Sequence, residues 1–254
     1  MTEVAQKPTA LVIGGSGGVG SAIAAQLAAQ GHHVALSYLA GQERAQRVAE
    51  GIIAQGGSAS IHRLDAGDGA QVQAVIEAVA SENGLKTLVY AAGPLVPQIY
   101  LSQITPEQMR RHLIDDSLGF FTLCHHALPH LRRAKGSIVA VQSAAQYRWC
   151  PADGLSVAPK AAVNAIMTGI AKEEGRFGVR ANGVALGIID AGSFDHLKAQ
   201  GHISQAYLDA AAANTPLRGF GAPQDVAEAV CWLASSKAKF VTGQVICVDG
   251  GFHI

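Results

Sequence analysis

Short apolar runs rich in β-branched residues alternate with longer stretches whose apolar positions recur every three to four residues. The short runs, at 9–13, 33–38, 58–64, 86–91, 137–141, 179–185 and 244–248, read as strands. The longer stretches, at 21–30, 42–54, 70–81, 105–133, from near 156 to near 175, and 223–235, read as helices. The boundary residues agree. Gly31 stands where a helix C-cap belongs, Gly56-Gly57 and Asn83-Gly84 close two helices, and Asp68 is a favoured N-cap. Thr105-Pro106-Glu107 opens the long helix with a cap and a proline at its first position. Pro159 lacks an N–H and fits best in a first helical turn, so the next helix is expected to begin with its cap at 155–158, where Ser156 is the favoured capping residue. Regularity stops between Gly187 and Pro216. There an Ala-rich helical insertion at 203–213 lies in a segment, 188–215, expected to cover a ligand.

The first strand leads directly into glycines, Leu11-Val12-Ile13-Gly14-Gly15-Ser16-Gly17-Gly18-Val19-Gly20, and then into a helix. The spacing fits Gly15-x-Gly17-x-x-Gly20 and equally Gly14-x-x-x-Gly18-x-Gly20. Either way, residues without side chains allow a sharp turn and let a pyrophosphate approach the N–H groups at a helix N-terminus. Strands alternating with helices along the whole length predict a single α/β domain over 1–254. Its fold is a doubly wound Rossmann sheet of about seven parallel strands with helices on both faces and the glycine loop at the switch point.

Composition narrows the function. Apolar residues make up 49% and charged residues 15% of the chain, which suits a sheet buried on both faces. Formal net charge is zero, so no electrostatic footprint for nucleic acid or an anionic membrane exists. Cys124, Cys150, Cys231 and Cys247 form no C-x-x-C pair and read as reduced thiols. His125, His126 and His130 have no acid or cysteine at ligand spacing and read as structural, so no metal site is expected. A polar start and the lack of a run of about 18 apolar residues suggest a cytoplasmic protein. Where the second strand ends, Ser37-Tyr38-Leu39 carries no acid to hold a ribose 2′-hydroxyl, and Glu43 on the following helix has Arg44 beside it. This favours NADP over NAD.

With these motifs in place, the chain resembles the short-chain dehydrogenase/reductase family over nearly its whole length. The glycine spacing is that family's, with Ile13 for its usual Thr. Asp65-Ala66 stands at the adenine position, and Tyr90-Ala91-Ala92-Gly93 keeps the last two residues of the family's Asn-Asn-Ala-Gly. Leu186-Gly187 resembles its Pro-Gly, and Thr242-Gly243-Gln244 with Val248-Asp249-Gly250-Gly251 resembles its C-terminal region. The resemblance implies a nicotinamide cofactor held by Gly14, Ser16, Gly17, Gly18, Val19, Gly20, Tyr38, Asp65, Ala66, Ala92, Gly93, Lys160, Gly187 and Ile189. It also implies a homo-oligomer, dimer or tetramer, paired through long-helix faces and the C-terminal strand. The apolar set Leu113, Phe120, Phe121 and Leu128 is compatible with such pairing and with burial on the sheet.

The family's reductases use Ser, Tyr-x-x-x-Lys and a helix Asn. Ser143 and Lys160 keep the first and last residues of that set in register, while Ser156 takes the Tyr position and Asp116 the Asn position. Serine has no ionisation comparable to a tuned phenol and is a poor proton donor. Tyr147 is the nearest replacement phenol. Asp153 occupies the Tyr position of the enoyl reductase branch, whose donor is therefore missing too. Ser-x-x-x-Lys with an acid on the long helix resembles the family's 2,4-dienoyl thioester reductases. Hydride addition to a double bond conjugated with a carbonyl gives an enolate that hydrogen bonds can stabilise, so that chemistry tolerates the loss better than carbonyl reduction does. The expected activity is hydride transfer from the cofactor to such a double bond or to a carbonyl, with acyl thioesters among the small-molecule substrates. Its rivals are an ordinary carbonyl reductase or alcohol dehydrogenase using Tyr147, and a non-redox cofactor-binding protein or a lyase with Asp116 as base.

Overall fold

A computed structural model describes residues 7–191 and 205–254; of the covering segment expected at 188–215, residues 192–204 lie outside the described residues. Among the described residues the strands form one seven-stranded parallel sheet: β1 Thr9–Ile13, β2 His33–Tyr38, β3 Ser58–Arg63, β4 Leu85–Tyr90, β5 Ser137–Ser143, β6 Arg180–Leu186 and β7 Val245–Val248. Their order is β3-β2-β1-β4-β5-β6-β7, so the chain winds outward in both directions from the β1/β4 pair. That pair is the switch point, where doubly wound sheets leave a crevice at the strands' carboxyl ends.

Side chains of a strand alternate between its two faces, and both faces here are covered. Leu11 and Ile13 of β1 join Val72, Ile76, Phe120, Leu123, Val163 and Met167 in one buried cluster. This layer is built by α3 Gly69–Asn83, α5 Gly119–Ala134 and α6 Gly154–Glu174. Ala10 and Val12 join Ile23, Leu27, Ile52, Val226 and Val230 on the other side, contributed by α1 Gly18–Ala29, α2 Gln42–Ala54 and α8 Pro223–Ala234. α4 Pro106–His112 and α7 Gln205–Ala213 complete the described helices.

Several capping expectations hold. Asp68 Oδ1 accepts from the Ala70 and Gln71 amides. Thr105 Oγ1 accepts from the Gln108 amide, and Gln108 Oε1 accepts from the Thr105 amide in return. Two expectations fail. The long helix expected at 105–133 is broken by a π-helical turn, Leu113–Leu118, between α4 and α5. The wider turn rotates α5 relative to α4 and divides the apolar set: Phe120 is fully buried and Leu128 packs on the core, while Leu113 and Phe121 face outward. The cap expected at 155–158 is also misplaced. α6 begins at Gly154 with Asp153 at the N-cap, which leaves Ser156 in the first turn and Pro159 inside the helix. Contacts made through the fold override the local preference of proline: Ile99 pairs with Asp153, and Ser117 Oγ donates to the Pro159 carbonyl at 3.0 Å.

Candidate active site

Because the sheet is parallel, the segments leaving β1, β2, β3, β4, β5 and β6 meet at one edge, and the expected site residues are distributed along it. At β1 the chain turns through Gly14, whose φ of +76° suits glycine. A Cβ on Gly20 would lie 2.2 Å from the Gly14 carbonyl oxygen, and one on Gly15 would lie 2.7 Å from Leu36 Cδ2. Gly14, Gly15 and Gly20 therefore answer to internal packing, and the close approach joins Gly14 to Gly20. Gly17 is the N-cap of α1 and offers no side chain to its amides. The first-turn N–H groups of Gly18, Val19 and Gly20 are thus left for an anionic group, with Ser16 buried just before them. The cradle fits a dinucleotide pyrophosphate.

Other expected cofactor residues flank this loop. Ser37 Oγ accepts from the Gly14 amide at 3.0 Å, locking the loop to β2. Tyr38 is buried at the end of β2, and Arg44 folds back over the β2–α2 turn, where a Cβ on Gly41 would lie 3.1 Å from its Nη2. Asp65 Oδ1 accepts from the Gly67 amide at 2.9 Å beyond β3, next to Ala66. A Cβ on Gly187, after β6, would lie 2.7 Å from Asp249 Cα, and Ile189 pairs with Gly221.

The centre of the site is a buried polar cluster. Lys160 Nζ donates to the Ala92 carbonyl and to Asp116 Oδ1, both at 2.9 Å. The side chains of Lys160 and Asp116 are 12% and 2% exposed. The Tyr90 hydroxyl donates to the same Asp116 Oδ1 at 2.7 Å, and Lys160 Nζ lies 4.9 Å from the Tyr90 ring centroid. Burial first, and then the neighbouring Asp116 charge, push the Tyr90 phenol well above its ordinary pKa and hold it as a donor. An ammonium has three N–H donors; among the described residues two have acceptors, and a Cβ on Gly93 would lie 3.6 Å from Nζ. Tyr90 was not among the expected site residues. Tyr90, Ala91 and Asp116 are the places where the motifs after β4 and on the long helix depart from the Asn expected there, and two of them, Tyr90 and Asp116, touch. That paired departure was the available signal.

Ser143 ends β5 and Oγ accepts from the Ala145 amide at 3.2 Å, which leaves its own proton to donate. Ser156 sits one turn before Lys160 on α6. Among the described residues its hydroxyl has no hydrogen-bond partner, so the expected cap is absent. Tyr147 is half-exposed and edge-on to His253, with ring centroids 6.0 Å apart. Burial, with a smaller contribution from Cys247, raises its pKa. The structure thus brings Lys160 and Asp116 together and places Tyr147 against the C-terminal turn.

Cys247, Asp249 and His253 gather near that turn. Both Asp249 oxygens are already engaged: Oδ1 accepts from the Gly251 amide, and Oδ2 accepts from the His253 amide and Nδ1. These bonds explain the cluster as a latch for the chain end. His125, His126 and His130 lie together on α5 facing α3, with His130 Nδ1 bound to Arg133 Nη2 at 2.7 Å. All four cysteines are unpaired, and among the described residues no helix is long and apolar enough to cross a membrane.

Comparison with known proteins agrees with this fold. Residues 14–253 match a family model described as enoyl-(acyl carrier protein) reductase. The 3-oxoacyl-(acyl-carrier-protein) reductase FabG of Staphylococcus aureus is 35% identical over 249 residues, which cover 97% of this chain and 98% of the relative. An uncharacterized oxidoreductase of Escherichia coli, YgfF, is 34% identical over 248 residues, covering 95% and 98%. A short-chain type dehydrogenase/reductase from Mycobacterium ulcerans superposes with a TM-score of 0.89 at 30% identity, covering 98% of this chain and 90% of that one.

Proposed function

Because the chain belongs to the short-chain dehydrogenase/reductase family of nicotinamide-dependent oxidoreductases, we propose that it reduces a thioester-bound acyl chain at a double bond conjugated with the carbonyl. The observation that carries this reading is the Lys160 ammonium, held by Asp116 and the Ala92 carbonyl beside Gly93, on a helix whose Tyr position is Ser156. The bound cofactor supplies a hydride. The first turn of α1 would hold its pyrophosphate, Asp65 and Ala66 its adenine, and Lys160 a ribose hydroxyl. Ser143 donates to the substrate oxygen on which charge accumulates, so an enolate is stabilised without a phenol on α6. Arg44, folded over the turn after β2, supports NADP as the preferred form.

A second reading, reduction of a 3-oxo carbonyl, is favoured by the names of the 35% identical relatives. We place the enzyme in the cytoplasm, where unpaired cysteines persist, and read the outward Leu113, Leu118 and Phe121 as part of a homo-oligomer contact. A light-scattering mass near 26 kDa would contradict that contact. The deciding experiment follows NADPH and NADH consumption with matched 2-enoyl, 2,4-dienoyl and 3-oxoacyl thioesters. Turnover is expected with the conjugated substrates; turnover of the 3-oxo substrate alone selects the second reading, and none at all moves the protein to the non-redox class.

A further inference from the structure

A second carboxylate stands at the head of α6. Asp153, Ser156 and Lys160 are spaced i, i+3 and i+7, which puts them along one side of the helix. The segment following β4 crosses that side. Its Ala92 carbonyl takes Lys160 Nζ at 2.9 Å, and its Gln98 Nε2 donates to Asp153 Oδ1 at 3.3 Å. Ile99 pairs with Asp153 through the backbone, holding the head of α6 against the segment. Asp153 and Lys160 therefore lie along the same side of α6, and each is bonded to the one segment that leaves β4.

Asp116 and Asp153 have opposite surroundings. Asp116 holds an ammonium and a phenol. Asp153 has only the neutral Gln98 amide, and among the described residues no Lys, Arg or His stands at ion-pair distance from it. The neighbouring Gly154 packs toward Leu101 and Ile104, whose side chains lie 2.6 and 3.4 Å from where its Cβ would be. The titratable group nearest in the chain is Cys150, whose carbonyl accepts from the Asp153 amide. Lys160, two turns along α6, is committed to Asp116. Burial pushes the Asp153 carboxyl up to about 6, against a smaller opposing effect of Gln98. Carboxyls in such unlike environments divide the work of charge and proton.

We propose that Asp153 is the proton donor of the reaction: its carboxyl proton passes to the substrate atom on which the transferred electron pair leaves negative charge, and the carboxylate formed is reprotonated from water. This rests on the reductase reading above and serves the enolate or the alkoxide alike. It also accounts for Ser156. With a donor one turn earlier, the Tyr position need carry no proton, and Tyr147 remains packed against His253.

Asp153→Asn and Asp153→Glu test the proposal on the best thioester of the panel. The Asn variant keeps the Gln98 contact and a folded chain, and it should lower kcat by roughly 10²–10⁴-fold, the range for losing a general acid. Nucleotide affinity, measured by calorimetry, should stay within about threefold. The Glu variant should recover part of the rate. Wild-type reduction should fall about tenfold per pH unit above pH ~6, as the donor ionises, and oxidation of the product should rise over the same range; the Asn variant should lose both limbs. In ¹³C spectra of labelled aspartates, the resonance that disappears in the Asn variant should titrate near pH 6. Turnover retained by the Asn variant, an unchanged pH profile, or titration of that resonance in the ordinary carboxylate range would overturn the assignment while leaving the reductase reading intact. Wild-type protein inert on the whole panel removes the reductase reading and the donor with it.

Discussion

Replacing Asp116 by Asn tests the centre of the site without needing a substrate. The change preserves size and keeps an oxygen that accepts the Tyr90 hydroxyl, but it removes the counter-charge from Lys160, whose side chain is only 12% exposed. Breaking a buried ion pair by removing one partner costs about 3–5 kcal/mol. Lys160 keeps the Ala92 carbonyl and some solvent, so the lower end applies, about 3 kcal/mol. For a chain of this size that corresponds to a fall in Tm of about 6–12 °C. Urea unfolding followed by circular dichroism measures it. The loss should persist in high salt, because a buried pair is weakly screened. In the double variant with Lys160→Met the two costs should fall short of their sum by about 2 kcal/mol, since the second change removes the stranded charge. The phenolate band of Tyr90 should also move to lower pH, burial remaining as the larger cause of its elevation. An Asp116→Asn chain within about 0.5 kcal/mol of the wild type, or strictly additive costs, would refute the pair as a structural unit.

The glycine loop divides by role. Gly20→Ala drives a Cβ into the Gly14 carbonyl and should destabilise the fold by about 1–3 kcal/mol. Gly18→Val should stay folded and lose nucleotide binding in calorimetry; unchanged affinity refutes the assigned cradle. Asp153→Asn should stabilise the protein selectively. Because the folded pKa is raised from 3.8 to about 6, the contribution of this carboxyl to stability is full below pH ~4 and falls by up to about 3 kcal/mol as pH rises through 6. The Asn variant should therefore gain most at pH 8 and nothing at pH 4, as read from paired denaturation curves. Ser143→Ala should slow turnover by roughly 10²-fold or more and Tyr147→Phe should change it little; a severe Tyr147 effect would move the donor to that phenol. Ser156→Ala should leave stability within about 0.5 kcal/mol, since Ser156 caps nothing.

What the amino-acid order determined by itself was whatever depends on neighbours in the chain. Strand and helix periods, the caps at Asp68 and Thr105, the turn at Gly14 and the parallel winding derive from spacing within a few residues, and the observed β1, β2 and α2 match the expected spans. The glycine loop and the positions of Ser143 and Lys160 were legible for the same reason. What the tertiary structure decided involves residues far apart in sequence. Tyr90 and Asp116 are separated by 26 positions and Asp116 and Lys160 by 44, and no local period brings them together. The π-turn at Leu113–Leu118 conflicts with the regular helix that its sequence predicts, and it occurs where Asp116 is buried between Lys160 and Tyr90. The early start of α6 was hidden by Pro159, whose local preference yields to the backbone pairing of Ile99 with Asp153. That pairing also sets the environment of Asp153. A carboxyl's proton affinity depends on which charges and dipoles surround it in space, and only the folded chain brings those together.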